Sequence, residues 1–339
     1  MIARGAAAIL LASPLGGAGP AAPPAAATAR PSLFVGADPA PLVVGREVWI
    51  YPTGVGGTRL VAWSSRGGGA WAERGELLRV EDVRWIPDGA PRHGLWAPHM
   101  AAANGRYYLY FSVGPQEPTA SRLGVAVCRT PAGPCRDSGR PLVDGSDSDR
   151  FPGRPAGCVD GVAPTGSGRF RFEAIDPMVF VDPASGRRLL YAGGSNGATM
   201  RVWELAPDMV TVAREVAVDQ PPCFTEGPWM HRWGGTYHLT YSSGNYDRSN
   251  YSVRHATAPT PTGPWTYRGA ILRSGGDVKG PGHHGLFRDP RTGGWMIAYH
   301  RWEGVAGDGP YRNARRRVAL ASLRHRADGT IEPVSVGGR

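Results

Sequence analysis

The stretch CFTEGPWM, residues 223–230, places Glu226 directly before a Gly-Pro turn, and an aromatic strand pattern follows it. Asp176 and Asp38 each stand directly before a proline, and similar strand patterns follow them. Each acid therefore opens a strand pair in its own copy of one module. A ring of such modules would direct the three carboxylates towards one central pit.

Five positions open such a module, and their spacing predicts the architecture. They are Asp38-Pro39, WAPHM at residues 96–100, Asp176-Pro177, EGP at residues 226–228 and GPGHH at residues 280–284. They lie roughly 50–80 residues apart, which suits the four strands of a propeller blade. From residue 33 onward, short apolar or alternating runs are broken by Gly, Pro, Asn or Asp, and no helical period persists. We therefore predict an all-β, five-bladed β-propeller that forms a single domain over residues 30–339.

The composition excludes two classes of protein. The 339 residues include 49 glycines and 32 prolines without a Gly-X-Y period, which indicates many tight turns and not collagen. The net charge is +10, but Lys279 is the only lysine and the arginines are scattered along the chain. Since no nucleic-acid-binding motif accompanies this charge, we expect no nucleic-acid partner.

Residues 1–29 have the pattern of a secretory signal peptide. Arg4 supplies a short basic region, residues 6–12 an apolar region, and Ala27-Thr28-Ala29 an Ala-X-Ala cleavage site. The alternative is a disordered leader rich in alanine and proline. No later run is long and apolar enough to span a membrane. We therefore expect a secreted or periplasmic protein without membrane insertion, and a monomer.

The four cysteines predict disulfide bonds in an exported chain. Cys128, Cys135, Cys158 and Cys223 include no C-x-x-C pair, so their spacing does not indicate a zinc site. An even count in an exported protein favours two disulfides, and four cysteines allow three pairings. We favour Cys128 with Cys135, because that bond would staple one hairpin turn, and Cys158 with Cys223.

Two stretches do not fit the blade pattern. Residues 144–172 are rich in Gly, Pro and Arg and are predicted to be an insertion between the second and third blades. Residues 304–317 are predicted to be a polar loop inside the fifth blade. Long loops of this kind often lie at a functional rim.

In this order, the motifs resemble glycoside hydrolase family 43, a family of five-bladed propellers that includes arabinosidases and xylosidases. The resemblance covers almost everything after the leader. Its matching features are Asp38-Pro39, Trp96-Ala97-Pro98 with GRYYLYFS at residues 105–112, Ile175-Asp176-Pro177, Glu226-Gly227-Pro228 and GPGHH at residues 280–284. One departure is His99, because the family often has aspartate at that position.

The resemblance implies roles for four residues. Asp38 would be the general base that activates water, and Glu226 the general acid that protonates the leaving oxygen. Asp176 would orient Glu226 and, as a nearby negative charge, raise its pKa. His283 would lie near the propeller axis, where some members place a histidine associated with water or calcium; its alternative is an ordinary polar core residue. No cofactor is required, and a calcium ion at the axis is optional.

Other side chains are candidates for sugar binding. Trp96, Trp229 and Trp63 would suit a wall on which sugars stack, and the alternative for each is the core between blades. Trp96 is the preferred candidate because it opens a blade at the position of the acids. Arg301 is expected to bind a substrate hydroxyl, or alternatively to pair with an interior acid such as Glu303.

These residues predict an inverting glycoside hydrolase that acts on plant polysaccharides or oligosaccharides containing arabinose or xylose. We favour an exo-acting α-L-arabinofuranosidase, with a β-xylosidase next. The alternatives are a propeller enzyme for other sugars, such as a galactosidase or a fructan-cleaving enzyme, and a sugar-binding propeller without turnover.

Overall fold

The structure is a computed structural model that describes residues 31–86, 88–146, 172–195 and 198–336. The predicted signal peptide, most of the predicted insertion at residues 144–172, and Cys158 lie outside the described residues. Within the described ranges, no helix has the length and apolarity needed to cross a bilayer.

Short antiparallel strands make up nearly all the regular structure of the described ranges. The strands are β1 (Phe34–Val35), β2 (Ala37–Val44), β3 (Glu47–Thr53), β4 (Arg59–Arg66), β5 (Ala72–Arg79), β6 (Gly94–Ala103), β7 (Arg106–Gly114), β8 (Arg122–Cys128), β9 (Cys135–Asp137), β10 (Val143–Asp144), β11 (Met178–Val181), β12 (Arg188–Ala192), β13 (Arg201–Leu205), β14 (Val212–Val216), β15 (Glu226–Trp233), β16 (Thr236–Ser243), β17 (Ser252–Ala258), β18 (Thr266–Leu272), β19 (Val278–Arg288), β20 (Trp295–Glu303) and β21 (Arg317–Leu323). A 3₁₀ helix, Val80–Asp82, follows β5.

The strands form five sheets, each of which is a blade. Blade 1 is β2 to β5, blade 2 is β6 to β10, blade 3 is β11 to β14, and blade 4 is β15 to β18. Blade 5 contains β19 to β21 and is completed by β1. The first strands contact each other in a closed ring, β2 with β6, β6 with β11, β11 with β15, β15 with β19, and β19 with β2. The predicted five-bladed β-propeller is confirmed.

Burial follows the position of each strand in its blade. Strand β16 is buried from Tyr237 to Ser243, because neighbouring blades cover both faces of a middle strand. Strand β14, at the outer edge of its sheet, is largely exposed. The aromatic and β-branched residues that favour strands in the sequence therefore also supply the core between blades.

The first predicted disulfide bond is confirmed. Cys128, which ends β8, is bonded to Cys135, which begins β9, so the bond spans a hairpin turn as the spacing predicted. The second predicted pair includes Cys158, which lies outside the described residues.

The ring closes where the start of the propeller domain joins the last blade. Phe34 of β1 pairs with Val318 of β21, and its ring stacks on Trp63 of blade 1 at 4.2 Å between ring centroids. Trp63 therefore packs between blades, and the structure does not place it in a sugar-binding wall. Phe34 is only 6% exposed, so its side chain links the two ends of the ring.

We expect Phe34→Ala to lower the free energy of unfolding by about 3–5 kcal/mol, because it empties a buried aromatic site at the closure. Chemical denaturation measures the change. Val55→Ala, at a residue that is 60% exposed, serves as the control and should change stability by less than about 0.5 kcal/mol. Equal small losses in both variants would show that this contact does not stabilise the ring.

Candidate active site

A backbone irregularity recurs at the start of the inner strand of every blade. The residues with positive φ there are Asp38 (50°), Ala97 (43°), Asp176 (59°), Gly227 (59°) and His283 (37°). The first four directly precede a proline. In blades 1, 2, 4 and 5 the pairing register shifts at this point, as it does in a β-bulge.

These bulges bring polar side chains to the propeller axis. Asp38, Asp176 and His283 line one small cavity there. A positive φ is uncommon for a residue with a side chain, and such strained positions cluster at functional sites. The repeated backbone feature therefore explains why acids from distant parts of the chain meet at one place.

A larger cavity of about 270 Å³ opens beside the axis. Its lining residues are Asp38, Thr53, Trp96, Gln116, Ile175, Asp176, Ser195, Glu226, Tyr246, His283 and Arg316. All three acids proposed from the sequence are present, together with Trp96 and His283. Tyr246 is 47% exposed, so the cavity reaches solvent and is accessible to a ligand.

Asp38 is held in its ionised form by its neighbours. Arg316 donates a hydrogen bond from Nη1 to Oδ1 of Asp38 at 2.9 Å, and Nδ1 of His283 lies 3.2 Å from the same oxygen. Burial opposes ionisation, but the charge of Arg316 and then of His283 outweighs it, and the pKa of Asp38 falls well below its usual value. The main-chain NH donates to Nδ1 of His300 at 3.1 Å, which helps to fix the orientation.

The pKa of Asp176 is shifted in the direction opposite to that of Asp38. The family resemblance implies an ionised Asp176 that raises the pKa of Glu226. In the structure, burial and then the nearby charges of Glu226 and Asp38 raise the pKa of Asp176 itself well above its usual value. Asp176 is buried, with 6% of its surface exposed, and accepts one hydrogen bond at Oδ2, from the main-chain NH of Gly227 at 3.0 Å. Asp176 therefore retains its proton to higher pH than an ordinary aspartate does.

Glu226 is positioned by three donors. The hydroxyl of Tyr251 donates to Oε1 at 2.5 Å, and the main-chain NH and hydroxyl of Ser195 lie 3.2 and 3.1 Å from Oε2. Burial raises the pKa of Tyr251 well above its usual value, so this hydroxyl stays protonated. Gly194 has to lack a side chain, because a Cβ atom there would lie 2.6 Å from Cβ of Glu226.

Trp96 is the tryptophan that lines the larger cavity. Its indole packs against the backbone of β6 and β7, where a Cβ atom on Gly114 would lie 1.8 Å from the ring and one on Gly94 would lie 2.6 Å away. The two glycines therefore hold the ring beside the cavity. Trp229 is 7% exposed and belongs to the hydrophobic core, as the alternative interpretation stated.

Arg301 does not occupy the predicted position. Its Nε donates to Glu303 at 2.8 Å, its Nη1 donates to the Tyr299 hydroxyl at 3.2 Å, and it is not among the residues that line the cavity. The alternative pairing with Glu303 is what the structure contains. The arginine that lines the cavity is Arg316, at the end of the loop of residues 304–317. The run of arginines in that loop is the sequence feature that could have indicated it.

His99, the departure from the family pattern, is a structural residue. It is 5% exposed, and burial lowers its pKa to about 3, so it is neutral. Its Nδ1 accepts a hydrogen bond from the main-chain NH of Val179 at 3.3 Å, and its ring contacts Trp229 edge-on. It connects blades 2 and 3, and it lines the small cavity at the axis but not the larger one.

The residues at the axis fit calcium only in part. Asp176, Glu226 and His283 place one ligand atom each within 4.8 Å of one another. Calcium takes 6–8 oxygen ligands, so these three residues would leave most of its coordination shell to water. An ion here remains compatible with the site, and no chemical step below depends on one.

Comparison with known proteins agrees with this geometry. The sequence profile of glycosyl hydrolases family 43 matches residues 34–151 and 161–331. The β-D-galactofuranosidase xynD of Aspergillus niger is 32% identical over 78% of this chain and 73% of its own length. Xylosidase/arabinosidase 43A of Humicola insolens is 30% identical over 68% of this chain and 72% of its own. The GH43_1 enzyme of Xanthomonas citri complexed with xylose has a TM-score of 0.68 and 26% identity, and covers 93% of this chain and 95% of its own.

Proposed function

This chain belongs to glycosyl hydrolases family 43, and on that basis we propose that it is an inverting, exo-acting α-L-arabinofuranosidase or β-xylosidase. The observation that carries the proposal is that two carboxyl groups in one cavity have pKa values shifted in opposite directions. Asp38 has a lowered pKa, whereas the pKa of Asp176, beside Glu226, is raised. Glycoside hydrolysis by inversion requires one ionised and one protonated carboxyl group.

Each group then has one task. Asp38 takes a proton from a water molecule, and the oxygen of that water attacks the anomeric carbon of the sugar. Glu226, as the general acid, transfers a proton to the leaving oxygen as the glycosidic bond breaks. Asp176 positions Glu226 through the main-chain NH of Gly227. Arg316 keeps Asp38 ionised and oriented.

The dimensions of the site favour a small terminal sugar. A cavity of about 270 Å³ with Trp96 along one side suits one sugar ring that stacks on the indole. A second cleft of about 360 Å³ shares Thr53, Tyr246 and Arg316 with it and would hold the rest of the oligosaccharide. The names of the Humicola relative and of the ligand in the Xanthomonas structure support arabinose or xylose. A galactofuranoside is the second candidate, because of the 32% identical Aspergillus relative.

Product analysis tests the proposal. The enzyme should be offered 4-nitrophenyl α-L-arabinofuranoside, β-D-xyloside and β-D-galactofuranoside, and then arabino- and xylo-oligosaccharides followed by proton NMR. We expect release of single terminal pentoses whose first-formed anomer has the configuration opposite to the substrate. Turnover of the galactofuranoside alone would show that the substrate is a galactofuranoside and not an arabinoside or xyloside. Retention of configuration would refute the role of Asp38 as the general base of an inverting reaction. Binding of sugar without turnover would refute the proposal that the protein is an enzyme.

We expect Arg316→Met to move the acidic limb of the kcat/KM profile to higher pH. Removal of the guanidinium removes the charge that lowers the pKa of Asp38, so the base becomes protonated at a higher pH. Arg317→Met is the matched control, because Arg317 pairs with Ser32 and Glu303 instead of Asp38. An unmoved limb in Arg316→Met, or an equal movement in both variants, would contradict the assignment of Asp38 as the titrating base.

We further propose that the protein is exported and acts as a monomer. The Cys128–Cys135 bond supports export, because disulfides form in oxidising compartments. Mass spectrometry of the protein recovered outside the cytoplasm should show a chain that begins at residue 30, and size-exclusion chromatography should show one copy. An intact leader on the recovered protein would contradict cleavage after Ala29.

A further inference from the structure

Three histidines meet outside the active site, in a group that we name the trihistidine cluster. His231 lies in β15, His238 in β16, and His325 just beyond the end of β21. Each offers one ring nitrogen, and these three atoms lie within 4.8 Å of one another. None of the three lines the cavity that contains the carboxylates.

The spacing of the three rings matches that of imidazoles on a tetrahedral metal ion. Their centroids lie 4.9 Å (His231 to His238), 5.1 Å (His231 to His325) and 5.2 Å (His238 to His325) apart. Metal–nitrogen bonds of about 2.0–2.1 Å at tetrahedral angles put ring centroids roughly 5 Å apart and the ligand nitrogens roughly 3.3 Å apart. Nε2 of His231 and Nε2 of His325 are now 2.8 Å apart, so they would have to separate by roughly 0.5 Å.

The cluster has hydrogen-bonding capacity that the described residues do not use. Nε2 of His238 is buried and has no hydrogen-bond partner of ordinary geometry in the part of the chain that the structure describes. Nδ1 of His231 and Nδ1 of His325 also have none there, but an ion bound to the Nε2 atoms of these two rings would not contact them. His238 is completely buried, so bulk water does not satisfy its Nε2. Buried polar atoms in native proteins nearly always have a partner, and an unplaced ion or water is a common reason for an exception.

The surroundings would support a bound ion. Nε2 of His255 lies 3.0 Å from Nδ1 of His238, which can fix the tautomer and direct the other nitrogen of His238 into the cluster. Trp233 stacks on His325 at 4.7 Å, and Trp295 contacts His231 at 5.0 Å, both measured between ring centroids. Aromatic rings around imidazole ligands limit the access of water and hold the ligands in place.

We propose that the trihistidine cluster binds one divalent transition-metal ion, with zinc as the best fit. Three imidazoles and one open position suit zinc and cobalt, whereas calcium and magnesium prefer oxygen ligands. The ion would join β15 and β16 of blade 4 to the segment that follows β21. A site at this place stabilises the propeller and leaves the chemistry at Asp38 and Glu226 unchanged.

The test uses the whole protein after removal of metal by a chelator. We expect calorimetric titration with zinc chloride to give one zinc per chain. A zinc concentration 100-fold above the Kd should raise the unfolding midpoint by about 5 °C. Cobalt chloride should produce the intense visible absorption of a tetrahedral Co²⁺ complex in the unmodified protein. Absence of both zinc binding and this absorption would overturn the proposal and would indicate that water occupies the cluster.

Two variants locate the ion. His325→Ala, at the most exposed ligand, should abolish the zinc-dependent shift and the cobalt absorption and leave kcat/KM unchanged. His93→Ala removes a histidine that pairs with Asp88 elsewhere and should retain both signals. If His325→Ala retains them, the ion binds at another place, such as Asp176, Glu226 and His283, and the proposal fails.

Discussion

Glu226→Gln will slow hydrolysis of natural oligosaccharides by about 10²–10⁴-fold, because the amide cannot deliver a proton to the leaving oxygen. The loss should be much smaller for a 2,4-dinitrophenyl glycoside, because dinitrophenolate leaves without protonation. Glutamine keeps the length of the side chain, and its single amide oxygen can still accept the main-chain NH and hydroxyl of Ser195 while its NH2 group donates to the Tyr251 hydroxyl. The dependence on leaving group therefore separates a missing proton donor from a distorted site.

The measurement compares kcat for the two substrates in each protein. Glu303→Gln is the matched control, since Glu303 pairs with Arg301 outside the cavity and its variant should behave like the unmodified enzyme on both substrates. Thermal unfolding verifies that each variant is folded. Equal losses of Glu226→Gln on both substrates would show that Glu226 is not the general acid.

Asp38→Gly will reduce turnover of both substrates by about 10²–10⁴-fold, because without its base the attacking water is not activated. Glycine is the suitable replacement at this position. The φ angle of Asp38 is 50°, which glycine adopts without strain, and loss of the side chain leaves space for a small anion.

Sodium azide should restore turnover of the dinitrophenyl glycoside by Asp38→Gly. The anion attacks the anomeric carbon without needing a base, the dinitrophenolate departs, and the product is a glycosyl azide of inverted configuration. NMR identifies that product. Azide should not restore cleavage of oligosaccharides by Glu226→Gln. A glycosyl azide with retained configuration, or no azide effect on Asp38→Gly, would contradict the role of Asp38 as base.

Much of the fold could be predicted because its signals are local. A proline after Asp38, Ala97, Asp176 and Gly227 marks the same positive-φ position in four blades, and the spacing of these motifs matches one blade. Turn chemistry and strand alternation depend on neighbouring residues, so they can be recognised in a single sequence. The hairpin disulfide between Cys128 and Cys135 could be expected for the same reason, since its cysteines are seven residues apart.

The errors concern contacts between distant residues. Arg301 and Arg316 both lie in blade 5 or its loop, and only the path of that loop decides which one reaches Asp38. Trp96 stands directly before the positive-φ residue of blade 2, and space made by Gly94 and Gly114 keeps it beside the cavity. Trp229 stands two residues after the positive-φ residue of blade 4 and is buried in the core.

The five-bladed propeller, the order of its blades and the acids that open three of them could be read from the chain alone, because these depend on patterns within about 80 residues. The electrostatics of the site depend on the folded arrangement. Asp38 meets Arg316 across 278 residues of chain, and the enclosure of Asp176 beside Glu226 exists only once the ring has closed. Burial and the distances between charges in three dimensions set the pKa values of Asp38 and Asp176, and neither is encoded at a short spacing in the chain.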